Sequence, residues 1–543
     1  MSKLFDRLIE MRGIDADFLN PCYDNLSDPF LLPDMDKATS RIKQAIQNHD
    51  KILIYGDYDV DGITASALME EALILSGAAP GNISIMLPDR FTDGYGMSPK
   101  LIKFAQSQGI KLVITVDCGS RNHDIITELN NLGVDSIITD HHETDTTLPS
   151  AIAVINPKRK DCPTISLKNI AGVGVAFKLA QALVQTNLIK NGQEKWLLDL
   201  VLIGTICDNM TLTGENRIFG YFGIKVLEKT RRPGLAELMR RARVKNLNAE
   251  SIGFQIGPRL NAAGRLESAD IALNLLRARS AIEAAPLAEK LEQLNKKRKT
   301  EQISATREII ARGVSDDPVI IAAGNWHEGI LGIVAGRLVE EYHRPSFVLS
   351  EVEDGTLKGS GRSFGDFNLA EALNYAKTAI IGGGGHAGAA GVRLDKSRLH
   401  DFCAKINEYY KSLHLIEQEK YLRIHADLDV DTFTNFSFNF LNELKTLEPF
   451  GAGNEEPVFR LKNVNILNVT RMGADRNHLR LDIKDQSNKP LKLVAFFAPE
   501  SWLSLDSASK IEPIIKITTN DFNGVKSVEA RLLDIGIINW FML

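Results

Sequence analysis

Over its first half the chain alternates short apolar runs with longer stretches of helical spacing. Lys51-Ile52-Leu53-Ile54-Tyr55, Lys111-Leu112-Val113-Ile114-Thr115-Val116 and Ser136-Ile137-Ile138-Thr139 are brief and rich in β-branched side chains, which predicts buried strands. Ile63 to Ser76 predicts a helix that stops near Gly77. Strands alternating with helices predict an α/β domain, a doubly wound parallel sheet covered on both faces, over residues 49–275. Ahead of it, Asp36 to Gln47 reads as a helix and Pro29-Phe30-Leu31-Leu32-Pro33 as an extended piece, so 1–48 is expected to be an N-terminal capping segment. Ala281 to Arg312 predicts one long helix, heptad-like at Leu287, Leu291 and Leu294, inside a connector spanning 276–312. A second α/β domain, 313–415, begins at Val319-Ile320-Ile321-Ala322. Its Gly382-Gly383-Gly384-Gly385-His386 reads as a tight loop, because strand-like Gly391-Val392-Arg393-Leu394 follows. Beyond Pro449 to Pro457, the alternation in His478 to Ile483 and Leu491 to Phe497 predicts a small β-barrel within 416–543.

A chain of 543 residues needs several cores, in line with that division. Met1 to Asn20 mixes charged and apolar residues without a signal-like block, and no stretch is apolar enough to span a membrane. Five cysteines, Cys22, Cys118, Cys162, Cys207 and Cys403, form no CxxC pair, which suits a reducing, cytoplasmic setting and argues against a zinc module. The net charge of −5 does not advertise nucleic-acid binding, so any such contact must rest on local basic patches.

Chemistry gathers where the predicted strands end. The first runs into Gly56-Asp57-Tyr58-Asp59-Val60-Asp61-Gly62, the second into Asp117-Cys118-Gly119 and the third into Asp140-His141-His142. In open parallel sheets ligands bind beyond the carboxyl ends of the strands, so these acids should share one cleft. In an extended segment the alternating Asp57, Asp59 and Asp61 converge on one face. Like charges held that close call for a divalent cation between them; otherwise the stretch is a solvated acidic turn. Neutral imidazole adds a ligand for such ions: His141 is expected to ligate and His142 to face the scissile group. Leu197 to Cys207 is a further apolar run, closed by Asp208.

Several later stretches could meet phosphate. Arg90, Phe91 and Tyr95 place a cation and aromatic rings on one loop, suited to a strand with stacked bases or to plain surface. Gly172 and Gly174 open a helix whose amides could meet an anion, and close packing explains them equally well. Arg259, Asn261 and Arg265 put forked donors on a turn rich in Gly and Pro. The basic run Lys296 to Lys299 is either a solvated helix face or a nucleic-acid contact.

GDYDVDG at 56–62, VDCG at 116–119, DHH at 140–142 and Asp208 in GTICDNM resemble, in order, the four motifs of the DHH phosphoesterase superfamily. The resemblance implies two divalent ions, Mn2+ foremost and Mg2+ as the alternative, held by Asp57, Asp59, Asp61, Asp117, His141 and Asp208, with Asp117 bridging. Gly384-Gly385-His386 resembles the glycine-rich motif of the DHHA1 substrate-binding domain, with Ser360, Arg362 and Ser363 lining the same groove. NAAGR at 261–265, WHEGILGIVAGRL at 326–338, GGGGHAGAAG at 382–391 and PFGAGNEEP at 449–457 point to the branch of single-strand-specific exonucleases. Two departures stand out: Cys207 and Asn209-Met210-Thr211 flank the last acid, which could alter metal preference, and Val528-Glu529-Ala530-Arg531 is a weak match in the final barrel, expected to be an OB-fold.

That branch implies a metal-dependent exonuclease that hydrolyses single-stranded DNA from the 5′ end to mononucleotides, in repair and recombination. His142, Asp117 and Arg265 are the expected catalytic residues. The expected partners are single-stranded DNA, single-strand-binding protein and a RecQ-type helicase, with no membrane. Two alternatives stay in view: a non-catalytic single-strand-binding relative, which has no chemical need for a full acidic cage, and a small-molecule phosphodiesterase or pyrophosphatase, which has no use for the barrel.

Overall fold

The computed structural model describes residues 2–94, 96–415, 424–522 and 525–536. By contacts it divides into two units, Ser27–Met210 with Phe222–Gln418, and Met1–Leu26 with Thr211–Tyr221 and Glu419–Leu543.

In the first unit, strands β1 (Ile52–Tyr55), β2 (Ile83–Met86), β3 (Leu112–Val116), β4 (Asp135–Thr139) and β5 (Ala153–Ile155) form a wholly parallel sheet in the order β2-β1-β3-β4-β5. β1 and β3 are buried along their whole length, in keeping with sequences that are apolar except for Thr115. Register sets where the chemistry sits. Tyr55 lies opposite Thr115 and Val116 opposite Thr139, so the residues that follow emerge side by side at one sheet end. The helices Val60–Leu75, Gly172–Gln185 and Leu198–Cys207 are almost wholly buried and pack on one another. Pro29–Leu31 forms a 3-10 turn rather than an extended piece, with Asp28 capping the amide of Phe30.

The second core of this unit is a mixed sheet of β6 (Ile320–Gly324), β7 (Ser346–Glu351), β8 (Thr356–Arg362), β9 (Gly382–Gly385) and β10 (Ala389–Asp395), ordered β6-β7-β8-β10-β9. The four glycines expected to make a loop instead form its edge strand, paired with Ala390 to Arg393. A Cβ at Gly383 would lie 2.9 Å from the Gly391 carbonyl and one at Gly385 2.3 Å from the Ala389 carbonyl, so the pairing depends on bare backbone. The helix Ala281–Ala311 joins the two cores and buries Leu291, Leu294 and Arg298.

The other unit holds a seven-stranded sheet, β11 (Leu428–Val430), β12 (Phe459–Leu461), β13 (Asn465–Met472), β14 (His478–Lys484), β15 (Pro490–Ala495), β16 (Ile514–Phe522) and β17 (Val525–Asp534), ordered β11-β12-β16-β17-β15-β14-β13. Residues 1–26 belong here, not to a cap on the first sheet. The helix Lys3–Met11 is amphipathic, and its Leu4, Phe5 and Leu8 enter the core built on Phe433, Phe440, Phe459, Leu481 and Leu493.

Candidate metal centre

β1 ends at Tyr55, and the chain doubles back on itself at once. A Cβ on Gly62 would fall 2.5 Å from the Asp57 amide nitrogen, and one on Gly56 2.1 Å from Ser66 Oγ, so both glycines allow the helix start to lie on the turn. Asp59 is the N-cap of the helix Val60–Leu75, its Oδ1 accepting the Gly62 amide at 3.1 Å, and Asp61 sits in the first turn. The three acids therefore converge through a helix start, not along an extended segment.

Asp61 is held by the next helix. Its Oδ2 accepts the Gly172 amide at 2.6 Å and its Oδ1 the Val173 amide at 2.9 Å, so the anion met by that glycine-rich helix start is the protein's own carboxylate. Gly172 is also required by Asp117, whose Oδ1 would lie 2.4 Å from a Cβ there. Asp117 itself has φ of 62°, a left-handed conformation uncommon outside glycine, directly after β3. Asp208 is the C-cap of the helix Leu198–Cys207.

His141 stands among these acids. Its Nε2 lies 3.2 Å from Asp117 Oδ1, 3.6 Å from Asp208 Oδ2 and 3.8 Å from Asp61 Oδ2. His142 turns otherwise: its Nδ1 meets Asp140 Oδ1 at 2.8 Å and lies 3.9 Å from Asp117 Oδ1. Asp140 is fully engaged, taking the amides of His141 and His142 on Oδ1 and that of Ser120 on Oδ2. Burial works to raise its carboxyl, but the hydrogen bond and charge of His142 with these amides outweigh it and hold the group below the carboxylate range. Burial likewise works against the charged form of His142, and Asp140 outweighs it and raises the imidazole.

The other acids behave in the opposite way. Burial, then Asp59, pushes Asp57 up to about 8; burial, then Asp208, pushes Asp61 up to about 7; burial, then Asp59, pushes Asp208 up to about 7. Asp117 also rises, through burial and the surrounding carboxylates. Buried Asp117 Oδ1 and Asp208 Oδ2 accept no hydrogen bond. Potential ligand atoms lie within 4.8 Å of one another in the sets Asp57, Asp59, Asp117; Asp61, His141, Asp208; and Asp117, His141, His142. Crowded, unsatisfied carboxylate oxygens with an imidazole among them fit hard divalent ions, and Asp117 belongs to two of the sets.

Beside the acids stands a wall of arginine. Burial, then the charges of Arg90, Arg298 and Arg362, depresses Arg265 to about 9. Its Nη1 donates to the Gly329 carbonyl at 3.2 Å, and a Cβ on Gly329 would sit 1.8 Å from the Arg265 carbonyl oxygen, so the second core abuts this helix directly. Arg90 lies over the Tyr58 ring at 4.8 Å, and Phe91 meets the His327 ring edge-on at 5.4 Å. Arg362 donates to Ser360 Oγ at 3.0 Å and packs where only a glycine, Gly332, leaves room. Ser363 takes its amide to Gly388 and its hydroxyl to the Phe367 carbonyl. Gly384 and Gly385 close the edge strand β9 and His386 opens the turn to β10, to which Ser363 bonds at Gly388; all three are exposed.

Not every expected residue joins this wall. Arg259 to Arg265 is a helix, Gly257–Leu266, rather than a turn; six positions rotate a side chain by about 240°, so the two arginines diverge. Arg259 instead pairs with Glu292 at 2.6 Å and donates to the Gln255 carbonyl at 2.7 Å. Asn261 lies half-buried on the same helix, and Tyr95 falls outside the described residues. Cys207, beside Asp208, packs against Gly257 with its thiol pushed up by burial, and so backs the helix as a neutral group.

Family models match residues 51–205 (DHH family, N-terminal domain), 316–412 (DHHA1 domain) and 426–534 (RecJ OB domain). The chain is 34% identical to the single-stranded-DNA-specific exonuclease RecJ of Bacillus subtilis, over 99% of its own length and 69% of that protein. It is 32% identical to that of Escherichia coli, over 92% and 89%. The chain belongs to the RecJ family. Among solved structures, RecJ of Thermus thermophilus in complex with Mn2+ is similar with a TM-score of 0.83 at 27% identity, covering 98% of this chain and 76% of that one. The same protein in complex with Mg2+ gives 0.79 at 25%, covering 98% and 74%.

Set in a RecJ fold, two residues gain meaning that the sequence did not signal. Asp140 belongs to the DHH triplet, yet only its saturated oxygens reveal it as the group that orients His142. Arg298 lay inside a basic run and turns out buried, with its guanidinium bonded to Asn295 Oδ1 at 3.0 Å and its charge felt at Arg265.

Proposed function

We propose that this chain hydrolyses single-stranded DNA from the 5′ end to mononucleotides, using two divalent ions, Mn2+ or Mg2+, held by Asp57, Asp59, Asp61, Asp117, His141 and Asp208. The observation that carries this reading is the pairing of unsatisfied buried acids with a wall of arginines in one unit. When bound, the ions supply Lewis acidity and an activated water. The carboxylates and His141 would hold them, and Asp117, common to two of the candidate sets, would serve both. His142, held by Asp140, and Arg265 face the non-bridging phosphate oxygens and stabilise charge as it builds, which is electrostatic work rather than nucleophilic attack. Arg90, Arg362, Ser360, Ser363 and the end of the edge strand at Gly384, Gly385 and His386 position the strand between the two cores. A passage bounded on both sides admits one strand more readily than a duplex. The 5′-to-3′ direction, a role in repair and recombination, a cytoplasmic site of action, and contact with single-strand-binding protein or a RecQ-type helicase rest on the family alone.

Digestion of an oligonucleotide labelled in turn at each end tests this, with Mn2+ and with chelator, for wild type and Asp59→Ala. The expected result is metal-dependent release of mononucleotides from the 5′ end, absent in the variant and weak on blunt duplex. Binding without cleavage across several metals would instead favour a non-catalytic strand binder.

A further inference from the structure

The first unit contains a second basic cavity, of about 360 Å³, at the far ends of the helices that carry the cage. The helix Val60–Leu75 presents Asp61 to the cage and Glu70 and Glu71 to the cavity; the helix Leu198–Cys207 presents Asp208 at one end and Asp199 at the other. Glu70 lies nine positions beyond Asp61, about 14 Å along the helix, so the cavity is not part of the substrate passage.

Its charge is layered. On the floor, Arg232 pairs with Glu71 at 2.6 Å and Asp199 at 3.2 Å, and Arg277 makes a two-pronged pair with Glu70 at 2.6 and 2.7 Å. These three carboxylates are thereby spent on two arginines. Two further guanidiniums line the same space. Arg231 packs on the Trp196 ring, its guanidinium carbon 3.5 Å from the ring centroid, and has no acidic partner among the described residues. Arg279 is exposed, and its side chain has no acidic partner among the described residues. Four guanidiniums against three carboxylates leave the cavity positive in a chain whose net charge is −5. The volume falls within the ~300–1,000 Å³ typical of small-molecule pockets.

We propose that this cavity binds a small phosphate-bearing anion, gripped by Arg231 and Arg279 over the paired floor, with Trp196 as its apolar wall. Inorganic phosphate and a mononucleotide are the two sources of that chemistry. A pocket of this volume with an immobilised floor favours a small ligand over the backbone of a nucleic acid, which needs a continuous groove.

Calorimetric titration of the full chain tests this, in chelator and in an Arg265→Ala background so that the substrate passage contributes little. The probes are inorganic phosphate, 5′-dAMP and a single-stranded oligonucleotide. Saturable binding of phosphate or dAMP, weakened at least tenfold by Arg231→Ala with Arg279→Ala, is the expected result, and the tighter of the two probes names the source. The paired variant is expected to leave exonuclease activity in the wild-type background unchanged. Should it fold poorly, Arg279→Glu alone, at an exposed position, must still weaken binding. No binding of either small probe, binding indifferent to these arginines, or arginine-dependent binding of the oligonucleotide alone would each overturn the proposal.

Discussion

Two buried groups of charge in this molecule are built on opposite terms. In the unit of the seven-stranded sheet, Arg217 is 2% exposed, and its guanidinium donates to the carbonyls of Phe18, Leu447 and Thr446 at 3.2, 2.9 and 2.9 Å while lying over the Phe18 ring. All three of its nitrogens are engaged, and it ties residues 1–26 and 211–221 to the C-terminal segment. At the sheet end of the other unit, four aspartates are raised by burial and mutual repulsion, and two of their oxygens accept nothing. A satisfied buried charge is explained by the fold it holds together. An unsatisfied cluster costs stability and needs a ligand to justify it.

Asp117→Asn breaks the comparison hardest. Asparagine tolerates the left-handed backbone and keeps the shape, so the change removes charge alone. Exonuclease activity should fall about 10³-fold, the scale of losing one group aimed at transition-state charge. Stability in chelator should hold or rise, because one of several repelling acids is gone. A marked drop in the chelated melting temperature would sink the view that Asp117 serves function at the expense of stability. Arg217→Ala should do the reverse. Three carbonyls lose their donor inside that unit, so unfolding in denaturant should become easier by about 3 kcal/mol, while activity per folded molecule persists. Unchanged denaturation would show that water replaces the guanidinium.

Much of this contrast was legible beforehand, for physical reasons. β1, β3 and β4 are short runs centred on buried, mostly β-branched residues, and a parallel sheet forces whatever follows them to one edge, so the meeting of Asp57, Asp117 and His141 followed from pattern alone. What stayed hidden depended on phase or on long-range contact. The angle between Arg259 and Arg265 needs the knowledge that Gly257–Leu266 is helical despite its Gly and Pro. The four glycines read as a loop because glycine is a poor strand former, and tertiary pairing with β10 overrides that preference. Leu4, Phe5 and Leu8 lie in a stretch read only as mixed charged and apolar, and nothing in them names a core more than 400 residues away.

Asp140→Asn gives a smaller effect on the same axis. Its Oδ1 takes two amides and the His142 ring, more than an asparagine that keeps one carbonyl oxygen can reproduce on both sides. Single-turnover cleavage should slow by about 10-fold to 100-fold, the usual loss on removing a group that orients a site residue. Adding His142→Ala to Asp140→Asn should cost little more, since both act through one imidazole. Fully multiplicative losses would show that Asp140 works by some route other than His142.

Arg259→Ala is the mildest change and the sharpest on placement. Arg259 lies on the same helix as Arg265, but its partner is Glu292 on the connector helix, an ion pair with one half-exposed member. Losing it should cost about 1 kcal/mol of stability or less and leave kcat/KM on a single strand untouched. Arg265→Ala in parallel should lower kcat with little loss of stability, because its charge is already crowded by Arg90, Arg298 and Arg362. If the two variants proved alike in kinetics, phosphate would be read along the whole helix, and the roughly 120° between the two side chains would not separate structural pairing from substrate contact.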